Sequence, residues 1–262
     1  MLAPALPAAL LVAIALWQVA ATACSGRGVP SEEDWERAAA HVREHRESNE
    51  LIVFAPDWLD PVGRLHLGDQ IPVDMAARMD AAGYAGIWEL SARGARAAEA
   101  RDLEPARKER FGALSVRYYA QEPAEVVTDF LAEFSTAKVE GDAAGRPRVV
   151  LDEVDFRPRR CVRAEPAPGG EVRIVFPDAK LGERLVGYAG LADIFTLRDV
   201  RDPGFLRVLI AGEEVASLEL GIHDGWVRFE VDTAAQAGAD VEIVASASAP
   251  DRQICFAMEA RQ

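Results

Sequence analysis

Trp226-Val227-Arg228-Phe229-Glu230-Val231 is the stretch on which the reading of the fold turns. Successive side chains of a strand point to opposite faces, so Trp226, Arg228 and Glu230 share one face and Val227, Phe229 and Val231 the other. Strict alternation of this kind belongs to an antiparallel sheet with one face in a core and one in water. Asp224-Gly225 supplies the turn before it. Outward from it, β-type runs recur at spacings of about 8 to 12 residues: 148–156, 161–164, 171–176, 184–188, 205–210, 215–220, 241–247 and 253–259. Turn signals at Pro168-Gly169-Gly170 and Ala211-Gly212 punctuate them. Nine strands of this texture predict an all-β antiparallel sandwich, jelly-roll-like, over residues 146–262, with glycine-rich 141–145 as its linker to the preceding chain.

Before the linker, helix-like and strand-like segments alternate, which predicts an α/β domain over 30–140 with a small parallel or mixed sheet and flanking helices. Ser31 is an N-cap with acids in the first turn, and Trp35, Ala38, Ala39 and Val42 fall on one helical face. Leu51-Ile52-Val53-Phe54-Ala55, ended by Pro56, reads as a strand buried on both faces, as do 86–91 and 114–119. Alanine-rich charged stretches at 73–82 and 95–110 are expected as surface helices, and 124–134 as one more helix or strand.

From Leu2 to Ala23 nothing is charged, and a helix of that length spans roughly 33 Å, enough for a hydrocarbon core of about 30 Å. Residues 1–23 therefore read as a signal peptide or a membrane anchor. Ala21-Thr22-Ala23 is a small-residue cleavage site, and the lipoprotein box it resembles makes Cys24 the lipidation point. Cys161 and Cys255, both in strand-like runs, either pair as a disulfide or stand as separate buried thiols. Net charge is −14 with an excess of acids in both halves, which repels nucleic acid. The expected location is extracytoplasmic, in a bacterial periplasm or envelope.

Asp34-Trp35, Ala38-Ala39, Leu51 to Pro56 and Ile87-Trp88-Glu89-Leu90 together resemble the extracytoplasmic α/β domain that follows the last membrane helix of bacterial glycosyltransferases of the dolichyl-phosphate-mannose type, over residues 30–120. In that family the catalytic acid sits in a loop between membrane helices, which this sequence lacks, so the resemblance implies an accessory domain without its enzyme. The second half is similar in outline to jelly-roll carbohydrate-binding modules of the galactose-binding type, through Leu185-Val186-Gly187-Tyr188-Ala189-Gly190-Leu191 and Val208-Leu209-Ile210-Ala211-Gly212.

Ligands of open α/β sheets bind beyond the carboxyl ends of strands. Two such ends are polar: Pro56 leads into Asp57, Trp58, Asp60, Arg64, His66 and Asp69, and Ser91 leads into Arg93 and Arg96. An aromatic face with carboxylates and guanidinium groups suits a sugar or sugar phosphate; solvated loop residues and local ion pairs are the plainer reading. Trp226, at a hairpin turn beside His223, is either a stacking platform for a ligand ring or a turn residue. His41-Val42-Arg43-Glu44-His45 has the H-x-x-E-H spacing of inverted zinc peptidases, with Glu122 or Glu125 as a formal third ligand, but it is expected to put His41 and Glu44 on the solvent side of an alanine-rich helix. Phosphate loops, nucleophile elbows and C-x-x-C pairs are absent, and no cofactor or metal is implied. These readings favour a non-catalytic envelope protein that binds a glycan or another polar ligand, ahead of an envelope module that meets a protein partner and of a hydrolase or transferase accessory enzyme.

Overall fold

Ser31 starts the first packed element by closing a capping box: the Asp34 amide donates to Ser31 Oγ at 3.2 Å and the Ser31 amide to Asp34 Oδ2 at 3.1 Å. The computed structural model describes residues 5–25, 28–192, 202–233 and 238–262. Their chain gathers into two units, residues 1–70 with 85–121 and residues 71–84 with 122–262.

In the first unit, helix α1 (Ala5–Ser25) precedes α2 (Glu32–His45), which buries Trp35, Ala38, Ala39 and Val42 as its spacing predicts. Among the described residues no helix is long and apolar enough to cross a membrane, so the anchor rests on the sequence alone. The side chain of Cys24 lies outside the described part of α1. Strand β1 (Glu50–Ala55) runs parallel to β2 (Gly86–Ala92), with Leu51 opposite Ile87. A hairpin of β3 (Arg107–Phe111) and β4 (Leu114–Ala120) continues the sheet antiparallel, in the order β1-β2-β4-β3. Trp35 from α2 meets Phe54 at 6.2 Å between ring centroids. Helix α3 (Asp60–Leu67) comes so near Phe54 that a Cβ on Gly63 would lie 2.1 Å from its ring, so only glycine fits there.

Two expected helices give way. At 95–110 only a 3-10 turn forms, Ala98–Ala100, and Arg107 to Arg110 become an exposed charged edge strand. Pairing with β4 outweighs the helix propensity of the alanines there, and the charges blunt the edge against further pairing. At 73–82, α4 (Val73–Ala76) is a single turn after Pro72, because Asp80 Oδ1 accepts the Ala82 amide at 3.0 Å and bends the chain away from helix.

The second unit is two antiparallel sheets. One carries β7 (Ala143–Val154), β8 (Arg157–Pro166), β10 (Arg184–Leu191), β13 (Val227–Asp232) and β15 (Ile254–Arg261) in the order β13-β10-β15-β8-β7, with β5 (Val126–Asp129) also paired to β15. The other carries β6 (Lys138–Gly141), β9 (Glu171–Ala179), β11 (Gly204–Ile210), β12 (Glu213–Leu220) and β14 (Ala239–Ala247) in the order β12-β11-β14-β9-β6. The eight strands β8 to β15 divide between the sheets in jelly-roll order. Each of the nine runs read from the sequence overlaps a strand, with Asp155 and Phe156 falling in the turn after β7. The inner faces meet in one core in which Val162, Phe256 and Leu185 face Ile174, Val208 and Ile243, and Val227, Phe229 and Val231 join it from β13 as their alternation requires. The expected linker at 141–145 is instead the junction of β6 and β7: Gly141 has φ +98°, and a Cβ there would lie 2.1 Å from the Glu171 carbonyl oxygen. Its glycine marks a close strand approach and not a hinge.

Cys161 and Cys255 are bonded, with Cα atoms 5.5 Å apart and 94 residues between them in sequence. Closing a loop of that size restricts the unfolded chain by about 4 to 5 kcal/mol in the entropic account, and such bonds persist in oxidising compartments.

Residues 71–84 strap the outer face of the larger sheet. The Arg160 amide donates to the Ala77 carbonyl at 3.1 Å, Arg160 Nε meets Asp74 at 2.7 Å, and Arg261 grips both Asp80 oxygens at 3.0 Å while its Nε bonds Glu259 at 2.8 Å. Arg261 is buried, and burial raises the Glu259 carboxyl above its ordinary range while Arg261 restrains it. Arg261→Met leaves two carboxylates without their cation and is expected to destabilise the protein by about 3 kcal/mol. A carboxyl raised in the folded state favours folding when protonated, so this loss should be smallest near pH 4 and grow as pH rises towards 7. Thermal melts of both proteins at the two pH values check the magnitude and the sign.

Candidate functional site

In the first unit, the segment that follows β1 is not an open loop. After the cis Ala55–Pro56 bond, Asp57–Leu59 forms a 3-10 turn that runs directly into α3. Asp60 and Arg64 pair within α3 at 2.6 Å. His66 lies flat on Trp35, with centroids 5.5 Å apart and planes 3° apart, and its Nε2 is 3.8 Å from Glu32. Asp69 accepts from Arg43 at 2.8 and 3.2 Å, which holds its carboxyl down at about 2. Arg96 Nη2 donates to the Ala100 and Leu103 carbonyls at 2.5 and 2.9 Å, and its Nε is 3.5 Å from Glu89. Glu89 is fully buried and is further met by Arg117, by the Ala97 amide at 3.1 Å and by Tyr119. Asp60, Arg64, Asp69 and Arg96 thus have partners of their own within the unit, and His66 is stacked on Trp35 with its Nε2 shut off from water and without a hydrogen-bond partner. What remains at the strand ends is Trp58, 51% exposed, with the Arg93 guanidinium 5.8 Å from its ring centroid.

The H-x-x-E-H segment sits differently from its expected placement. His41 is not on the solvent side: its ring packs on Trp88 and Phe111, and burial lowers its proton affinity. The His45 ring is 4.3 Å from it, with Nδ1 2.9 Å from the His41 carbonyl oxygen. Among the described residues no group of three His, Cys, Asp or Glu is placed to hold a metal ion.

A denser constellation lies on the outer face of the larger sheet of the second unit, and Trp226 belongs to it. Trp226 packs against the small cluster around the Cys161–Cys255 bond, Val154 and Ala192, and its Nε1 donates to the Arg157 carbonyl at 2.9 Å. The Arg159 guanidinium lies 5.0 Å from the Trp226 ring and 4.1 Å from the Tyr188 ring. Burial lowers Arg159 to a pKa of about 10 and raises Tyr188. Arg228, two residues along β13, is bonded to Glu230 at 2.5 Å. Beside this layer the β7–β8 hairpin turns through two residues, Asp155 and Phe156, with Val154 opposite Arg157. Both are left-handed, at φ 49° and 60°. Phe156 is 64% exposed, so a bulky residue is held in a strained backbone region with its ring in water. The sequence places Phe156 and Tyr188 each at the end of a strand-like run and leaves Arg159 unremarked. The alternation of Val186 and Tyr188 against Leu185 and Ala189 was the available signal.

No protein-family model matches the sequence, and no curated protein matches it. Solved structures with a similar strand arrangement include CBM51-2 in complex with GlcNAc and INT domains from Clostridium perfringens ZmpB, 13% identical, covering 57% of this chain and 35% of that one at a TM-score of 0.37. The chain therefore matches about a third of that structure's length. A CBM51 from a Clostridium perfringens GH95 enzyme, in complex with methyl-galactose, is 10% identical over 51% of this chain and 99% of its own at 0.36. Tandem CBM51 modules of a Streptococcus pneumoniae family 98 glycoside hydrolase are 9% identical over 58% and 57% at 0.36. These neighbours are jelly-roll carbohydrate-binding modules; the likeness is one of outline and carries no ligand across.

The turn type at Asp155-Phe156 is one that glycine fills without strain at its second position. Phe156→Gly should therefore stabilise the protein by about 1 kcal/mol, or roughly 2 to 4 °C. Calorimetry checks this; a lowered midpoint would mean that the Phe156 ring holds the hairpin by packing.

Proposed function

We propose that this is a non-catalytic, extracytoplasmic protein that binds a glycan through the outer face of its jelly roll. The observation that carries the reading is the exposed Phe156, kept at a left-handed position beside the Trp226, Tyr188 and Arg159 layer. Strain of this kind persists where a side chain is needed in place. Aromatic faces suit the apolar face of a sugar ring, and guanidinium donors its oxygens. Trp58 with Arg93 is a second, smaller pairing of the same chemistry on the other unit. The disulfide fits an oxidising compartment, and on this reading α1 acts as leader or anchor, with the four-stranded unit, in its resemblance to an accessory domain of membrane glycosyltransferases, as the part that follows it.

A second reading, docking of a protein partner, is favoured by the outermost strand β7, where Val149 and Leu151 stand exposed. One experiment separates the two: glycan-array binding and partner capture by the full chain. Under the first reading Phe156→Ala and Trp226→Ala weaken glycan binding about tenfold, near 1.4 kcal/mol, and Leu151→Asp does not. Under the second, Leu151→Asp abolishes capture and no glycan is retained.

A further inference from the structure

The outer-face layer contains a charge that the chain leaves unmatched. Arg159 reaches it from β8, and its Nη1 is shut off from water with no hydrogen-bond partner. Two other cations of this face have carboxylates, Arg228 that of Glu230 and Arg261 those of Asp80 and Glu259, while Arg78 and Arg157 add positive charge near Arg159. Asp80 is the carboxylate that acts favourably on Arg159, yet both its oxygens are already bonded to Arg261. Two aromatic faces offset part of the cost of drying a guanidinium, on the order of 1 to 2 kcal/mol each, but supply no acceptor for its N–H groups. Arg159 as a whole is only partly buried, so an unpaired guanidinium whose remaining edge is open to solvent can be completed by an acceptor from outside the chain.

We infer that the ligand group received at this layer is anionic, a carboxylate or phosphate on a sugar, bound to Arg159 between Tyr188 and Trp226. The inference rests on the glycan reading and narrows its ligand class. A planar guanidinium offers paired donors that match either group, and the rings on Tyr188 and Trp226 fix its plane so that little ordering is left for the ligand to impose. Arg159 stays cationic through neutral pH even with its pKa lowered to about 10. The net charge of −14 repels long polyanions, so a short ligand with few charges fits better than an extended one.

Titration calorimetry of the full chain at low salt tests this with trigalacturonate, its neutral counterpart galactotriose, galactose 6-phosphate and inorganic phosphate. Trigalacturonate or the sugar phosphate is expected to bind at least tenfold tighter than galactotriose, with a margin that shrinks as salt is added. Arg159→Met should erase the margin, and Arg159→Lys, which keeps the charge without the paired donors, should retain part of it. Melting curves show that each variant is folded; if the Met variant is not, the Lys variant is read alone, with a loss of at least threefold. Equal affinity for charged and neutral sugars, unchanged by Arg159 substitution, overturns the anionic group and leaves the glycan reading standing. Heat from inorganic phosphate in the wild type but not the variant, with no sugar bound, sustains the anion site and sinks the glycan reading. Silence with every probe overturns both.

Discussion

A jelly roll closes where its first strand meets its last, and in this protein that seam is covalent. β8 lies beside β15, and Cys161 and Cys255 join them on the side away from the core. Inner-face residues of the same strands, Val162 and Phe256, stand opposite each other across the seam and face the second sheet. Every strand between them in sequence is enclosed by that bond, so the unfolded chain is deprived of its largest loop. The same bond underlies Trp226, so the element that completes the roll is also the floor of the candidate site.

The outer face of that sheet illustrates how an acidic chain handles its arginines. Arg261 buries between Asp80 and Glu259 and thereby tacks residues 71–84 onto the sheet. Arg160 does the same at Asp74, more openly. Arg159 follows a different rule, with rings in place of carboxylates. Matched arginines act as structural fasteners, whereas Arg159, whose Nη1 has no acceptor, is the one to which the proposed ligand is assigned.

Strands were legible in the sequence where one face is buried, because period-two alternation leaves no other solution; 226–231 is the clearest instance. Parallel β1 and β2 were legible as apolar runs, and α2 through its cap. Helices at 73–82 and 95–110 were misread because alanine content is a local preference, while a strand partner or an aspartate that binds its neighbour's amide is a competing demand that composition hides. The glycines at 141–145 read as a linker for the same reason: nothing local distinguishes a glycine needed for flexibility from one crowded by Glu171. The candidate site was half visible. Trp226 stood out as an aromatic at a turn, but its partners come from β8 and β10, tens of residues away, and only the sheet order brings them together. Four of the polar residues after β1 and β2, Asp60, Arg64, Asp69 and Arg96, have partners in local pairs or buried networks, which spacing alone does not reveal.

The chain passes from the first unit to the second after Gln70, returns at Ala85 and leaves again after Gln121. Neither unit is therefore a contiguous piece of sequence. A cut placed at 121 or near 140, where composition suggests a boundary, would yield a C-terminal fragment stripped of Asp74 and Asp80, leaving Arg160 and Arg261 bare, and an N-terminal fragment trailing a segment that has lost the surface it covers. Dissection of this protein into independently expressible parts would need circular rearrangement or a grafted strap, and evolutionary exchange of its sandwich for another would have to carry fourteen upstream residues, 71–84, along with it.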